Sequence, residues 1–210
     1  MHFYSNEVLN DEMKIKGSIF KVLSYKIENI NCVKMYLKKI EEKYSDASHI
    51  CYGYRFCDIN HLDLFFDPQV IEFSTDAGEP SGTAGKPILN TLKEKNIVNR
   101  VIFVIRYFGG TKLGITGLID AYRKSSKLIT ENIKIKEWIL YKNFKLKLNY
   151  SFYKSLKDLI FKYEGKINTN KFSDDIELNF DIPYKNSIEF KERVINRSKG
   201  TIIILEYYIN

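Results

Sequence analysis

Residues 98–114 read Val-Asn-Arg-Val-Ile-Phe-Val-Ile-Arg-Tyr-Phe-Gly-Gly-Thr-Lys-Leu-Gly, and the fold turns on them. The unbroken apolar run Val101–Ile105 predicts a strand buried on both faces. Taken over Val98–Phe108, that strand delivers Arg106 to its end and passes into a glycine turn. A helix over Gly114–Asn132 follows, with Leu118, Tyr122, Ser125 and Ile129 on one side. Gly114, Gly117, Ala121 and Ser125 also recur at steps of three and four, so a neighbour packs closely there.

The same grammar of strand, glycine turn and helix occurs just upstream. Val70–Ser74 is a short strand, Asp76–Gly85 is rich in glycine, and Lys86–Lys95 forms a helix with Pro87 suited to its first turn. Seven of the eleven glycines lie between Gly78 and Gly117, which concentrates the chain's conformational punctuation there. Further back come a strand over Ser18–Lys26 and another over Ala47–Cys57. Between them a helix carries Ile30, Val33, Leu37, Ile40 and Tyr44 on one stripe, capped by Asn29 or Asn31. The polar stretch Asp58–Pro68 reads as a hairpin loop or a longer excursion.

After Lys136 the pattern restarts. Ile139–Asn149 is a strand and Phe152–Tyr163 a helix closed by Gly165 as its C′ residue. Lys166–Phe172 and Ile176–Ile182 make a hairpin, Asn186–Arg197 is a helix stopped by Gly200, and Thr201–Ile209 is a last strand. The order β-α-β-β-α-β suits a ferredoxin-like sandwich. The expectation is an α+β chain of two domains, residues 1–135 and 136–210.

With 210 residues, 44% of them hydrophobic and 28% charged, the chain is long enough for these two cores and is not disordered in bulk. Five residues is its longest purely apolar run, against roughly twenty for a membrane span, and Met1–Asn10 has no signal-peptide pattern. Cys32, Cys51 and Cys57 read as free thiols in a reducing compartment, which points to the cytoplasm. The formal charge of +7 divides almost evenly, +3 before Lys136 and +4 from it onward. An excess this mild favours encounters with polyanions without singling one out.

Two segments carry candidate chemistry. A glycine-rich turn running into a helix start points several N–H groups at one anion, and Asp76, Gly78, Glu79, Gly82, Thr83 and Gly85 build the first such turn. Lys86 stands at its helix entrance. A Walker A loop is excluded, because Pro80 takes the place of a required glycine and Pro87 that of the magnesium-binding hydroxyl. Gly109, Gly110, Gly114 and Gly117 build the second turn, with Arg106 leading in and Lys112 inside it. The two turns can face each other and enclose a phosphate with Lys86, Arg106 and Lys112. Alternatively, Arg106 pairs with Asp76 or Glu79.

Weaker signals are a cation held by Asp76, Glu79 and Asp120, and a nucleophilic Ser81 whose base would be His49. Zinc on His49, Cys51, Cys57 and His61 lacks any C-x-x-C knuckle. No cofactor or metal is expected. The second domain holds 14 of the 30 aromatics, but its sheet is a poor RNA platform. Ile176, Leu178, Phe180 and Ile182 alternate inward, leaving Glu177 and Asp181 outside, across from Lys145 and Lys147 of the neighbouring strand, and no RNP motif is present.

Residues 16–20 (Lys-Gly-Ser-Ile-Phe), 47–51 (Ala-Ser-His-Ile-Cys), 76–87 (Asp-Ala-Gly-Glu-Pro-Ser-Gly-Thr-Ala-Gly-Lys-Pro) and 106–114, with Gly117-Leu118 and Ala121-Tyr122, resemble the YigZ/Impact family over about residues 10–135. The resemblance implies an N-terminal two-layer βα domain like one found in a small-subunit ribosomal protein and in the fourth domain of elongation factor G. It also implies a ferredoxin-like C-terminal domain of the bacterial type. Eukaryotic relatives affect translation initiation through a kinase activator, and bacterial ones are suspected of binding nucleic acid or ribosomes. No reaction carries over. Ile19 stands where a basic residue is usual, Asp120 likewise, and Arg123-Lys124 replace a glycine pair, so positive charge moves one turn along the helix. The expected partner is therefore RNA or the ribosome, met through Lys86, Arg106, Lys112, Arg123 and Lys124. A small anionic ligand or a protein partner are the alternatives.

Overall fold

The computed structural model describes residues 2–5, 7–62, 68–198 and 204–209, apart from the side chains of 59–62, 68 and 204–209. In chain order the first elements are β1 (His2–Tyr4), β2 (Leu9–Ile15), β3 (Ser18–Lys26), α1 (Ile30–Lys43), β4 (His49–Leu62) and β5 (Pro68–Thr75). Next come α2 (Gly85–Glu94), β6 (Arg100–Tyr107), α3 (Gly114–Asn132) and β7 (Lys136–Trp138). The rest are β8 (Tyr141–Leu148), α4 (Tyr150–Lys162), β9 (Lys166–Phe172), β10 (Ile176–Pro183), α5 (Tyr184–Arg197) and β11 (Ile204–Ile209). Gly200 and the expected start of the last strand at Thr201 lie outside the described residues, as does the middle of the Asp58–Pro68 stretch. The chain divides into two units between Trp138 and Ile139.

Unit 1 is built on an antiparallel sheet in the order β2-β3-β6-β4-β5. Strand β6 is at its centre, which explains the unbroken apolar run. Val101, Phe103 and Ile105 pack with Val33 and Ile40 of α1, while Ile102 and Val104 pack with Ile88 and Leu92 of α2 and Leu118, Tyr122 and Ile129 of α3. Helices thus cover both faces, and α1 adds a third layer to the expected two. Of the two possible caps, Asn29 caps α1, its side chain accepting the Cys32 N–H. Three strands escape a reading by pattern. β1 and β7 have three residues each and pair as a ribbon. β2 is a largely exposed edge whose sequence, Leu-Asn-Asp-Glu-Met-Lys-Ile, lacks a clean alternation.

Unit 2 has the ferredoxin-like strand order β11-β8-β10-β9, all antiparallel. Phe144, Leu146, Phe180 and Ile182 pack on one face with Leu156 and Ile160 of α4 and Phe190 and Val194 of α5. On the other face Glu177 stands opposite Lys147, whose ammonium closes on Asp175 at 3.2 Å. Helix α4 ends in a Schellman motif, with Gly165 N–H donating to Ile160 O at 2.8 Å and Glu164 N–H to Phe161 O at 3.1 Å. The left-handed C′ residue is Glu164, at φ 59°, rather than the expected Gly165. Gly165 is needed for space instead, since a Cβ there would lie 2.4 Å from Ile182 Cδ1.

Candidate functional site

Both glycine turns come to the same end of the unit 1 sheet. The antiparallel registers set the start of β3, the start of β4 and the end of β6 side by side, with Phe20 opposite Arg106 and Arg106 opposite His49. The β2–β3 hairpin meets the second turn so closely that a Cβ on Gly109 would lie 1.9 Å from the Gly17 carbonyl carbon. Phe108 N–H donates to Ser48 Oγ at 3.0 Å and Gly109 N–H to Ser18 Oγ at 3.2 Å, so the root of this turn is tied down on two sides.

The first turn does collect backbone N–H groups around an anion, and that anion is its own. Asp76 Oδ1 accepts from Ala84 N–H at 2.9 Å and Gly85 N–H at 2.8 Å, and Oδ2 accepts from Gly82 N–H at 2.8 Å. Burial alone would raise the Asp76 pKa, and the three N–H groups outweigh it and hold the carboxyl below the ordinary aspartate range. Ala84, the N-cap of α2, has no capping side chain, and Asp76 supplies that function from eight residues away. Gly85 is required by close packing, since a Cβ there would sit 2.7 Å from the Thr75 backbone. Thr83 is buried and donates to Pro80 O at 2.7 Å, tightening the turn.

Arg106 takes the second of its two expected roles. Its Nη1 donates to Glu79 Oε1 at 2.6 Å, with side-chain exposures of 6% and 3%. Tyr122 Oη donates to the same oxygen at 2.7 Å. Cys51 Sγ lies 3.5 Å from Tyr122 Oη and donates to Asp76 O at 3.0 Å. The two turns therefore meet as expected, but the negative guest between them is Glu79 rather than a ligand. Burial pushes the Cys51 thiol up to about 12 and raises the Tyr122 phenol as well, so both stay protonated. The guanidinium carbon of Arg106 lies 5.6 Å from the ring centroids of Phe20 and Phe108. Its Nε finds no hydrogen-bond partner among the described residues.

The other expected cations sit differently. Lys86, Lys112 and Lys124 are exposed. Arg123 is exposed but engaged, donating to Glu94 Oε1 at 2.6 Å, and Lys127 shares that carboxylate at 3.3 Å. Gly110 (φ 82°) and Gly114 (φ 73°) adopt left-handed backbone with open space where a Cβ would be, and Gly78 (φ 88°) lies under the His49 ring. Gly117 needs room on the inner side of α3, where Leu113 Cβ is 3.2 Å away. Asp76 and Glu79 are committed elsewhere and Asp120 points outward, so they do not gather around an ion. Among the described residues no group of three His, Cys, Asp or Glu side chains is placed to hold a metal. His49 Nδ1 is 2.9 Å from Ala77 O, and the His61 side chain lies outside the described residues.

Sequence reasoning missed Tyr122 and Cys51 as partners of the ion pair, although both fall within the runs that carried the family resemblance. It also missed Arg100, which is fully buried. Arg100 Nε donates to Ser24 Oγ at 2.7 Å, Nη1 donates to Ser5 O at 2.9 Å, and Nη2 donates to Glu7 O. Burial lowers it to about 10. Its signal was parity, because Arg100, Ile102, Val104 and Arg106 share one face of β6.

Comparison with known proteins places this arrangement in a family. The Impact N-terminal domain model matches residues 16–130. An IMPACT family member from Haemophilus influenzae is 30% identical over 198 residues, covering 92% of this chain and 90% of that protein. YvyE of Bacillus subtilis is 27% identical over 205 residues, covering 98% and 90%, and YigZ of Escherichia coli is 26% identical over 192 residues, covering 91% of each. A crystal structure of a hypothetical protein superposes at TM-score 0.62 with 23% identity, over 97% of this chain and 96% of the other, and shares its fold. With the family model covering β3 to β6 of the sheet, both glycine turns, α1, α2 and nearly all of α3, and relatives matching nearly end to end, the chain belongs to the Impact family.

Proposed function

We propose that this chain is a non-catalytic, cytoplasmic module acting near translation, which meets RNA or the ribosome at the glycine-turn end of unit 1. One observation carries the proposal. Three charges at that end, Asp76, Glu79 and Arg106, are used up in holding the loops, whereas Lys86 and Lys112 stay exposed. Lys16 joins them at the tip of the hairpin that touches Gly109, and Lys124 lies further along α3. Arg106 is then a structural cation that shapes the face rather than one of its contacts, and Arg123 contributes less because Glu94 already holds it. Acting as a cradle for a small anion is the weaker alternative, because the protein's own carboxylates occupy that place. A Cys51 thiol held protonated offers no nucleophile.

Phosphate contacts from exposed lysines make binding steeply salt-dependent. Ribosome co-sedimentation and RNA retention at about 50 and about 200 mM salt test this. The expected result is strong retention at the lower salt, loss at the higher, and weakening by the double variant Lys86→Ala, Lys112→Ala. Equal retention at both salts, or none at either, overturns it.

A further inference from the structure

Building on that RNA contact, we propose that the Phe108 ring is a stacking platform for an unpaired base, so that the ligand is single-stranded RNA. Phe108 is 50% exposed, yet its backbone is fixed by the Ser48 hydroxyl, and the next residue is wedged against Gly17. The ring is thus presented to solvent from a rigid root. The buried Arg106 guanidinium lies over it at 5.6 Å and is itself held by Glu79, so a fixed cation backs the aromatic surface. Gly110 leaves the outer side of the turn open, Lys112 follows two residues later, and exposed Lys16 stands on the hairpin packed against Gly109.

An aromatic face beside cations is what an unpaired strand requires, because bases stack on the ring while phosphates pair with the lysines. In a duplex the base faces are already stacked and unavailable. Phe73 on β5 is nearly as exposed, at 44%, and clusters with Tyr52 and Tyr54. Its ring, however, is already engaged by those two tyrosines, at 5.8 Å from Tyr52 and stacked on Tyr54 at 5.5 Å between centroids.

The test uses the full chain with a fluorescent oligouridylate of about a dozen nucleotides, a fully paired RNA duplex of equal length, and inorganic polyphosphate, which lacks bases. Phe108→Ala is expected to weaken oligouridylate binding about tenfold or more, with the salt slope unchanged. It should leave polyphosphate binding as it was, and Phe108→Tyr should restore most of the RNA affinity. An alanine variant as tight as wild type, a tyrosine variant as weak as alanine, or an equal loss toward polyphosphate overturns the platform. A wild-type chain that sediments with ribosomes in a salt-sensitive way but ignores oligouridylate, or prefers the duplex, overturns the platform and leaves the translation proposal standing. A chain that binds neither ribosomes nor RNA ends both.

Discussion

Glu79 serves two buried donors through one oxygen, accepting from Arg106 at 2.6 Å and Tyr122 at 2.7 Å. Removing one charge from a buried pair strands the other in a poorly solvating interior. Glu79→Gln is therefore expected to cost about 3 to 5 kcal/mol in urea unfolding. Adding Arg106→Met to it should recover part of that loss, since the stranded charge is then gone. Asp76 acts through pH. Its folded pKa lies below its unfolded one, so its stabilisation is complete above the unfolded value of about 3.9 and is lost as pH falls through the folded value. Asp76→Asn should cost about 1 to 2 kcal/mol at neutral pH by weakening the cap. It should also flatten the acid limb of stability below about pH 4, followed by circular dichroism.

At the level of the element, adjacent glycines in one turn are required for different reasons. Gly109 has no room for a Cβ because the Gly17 backbone occupies it, while Gly110 has room but a φ of 82°. Gly109→Ala must push two backbone segments apart and is expected to lower stability by about 3 kcal/mol. Gly110→Ala should cost about 1 kcal/mol, and Gly110→Asn less, because asparagine tolerates the left-handed region. Urea midpoints of the three variants give the order. Elements governed by periodicity were legible in the sequence, with Ser18–Lys26 and Gly114–Asn132 recovered to the residue. The destination of charge was not. Nothing in Asp-Ala-Gly-Glu tells which carboxylate turns back to cap α2 and which reaches across to Arg106. That depends on which strand of the sheet neighbours which, a long-range property that local spacing does not encode.

For the whole molecule, the two units have separate cores, one around Ile102, Val104 and Tyr122 and the other around Phe144, Phe180 and Phe190. Unfolding is expected to show two transitions rather than one. Trp138, the single tryptophan, belongs to unit 1 and reports only one of them. Glu79→Gln should shift the transition seen by tryptophan fluorescence and leave the other, seen by circular dichroism, in place; a single transition moved as a whole would contradict this. The strand order of unit 2 was readable because its βαββαβ pattern admits few topologies. The central place of β6 was foreshadowed only by its lack of alternation. His2–Tyr4 pairs with Lys136–Trp138, and Arg100 clasps the carbonyls of Ser5 and Glu7. During synthesis this seam therefore cannot close until Trp138 has left the ribosome. Before then His2–Tyr4 has only the partners around Asn96 and Val98 to hold it, and its other edge stays open to chaperones and to mispairing.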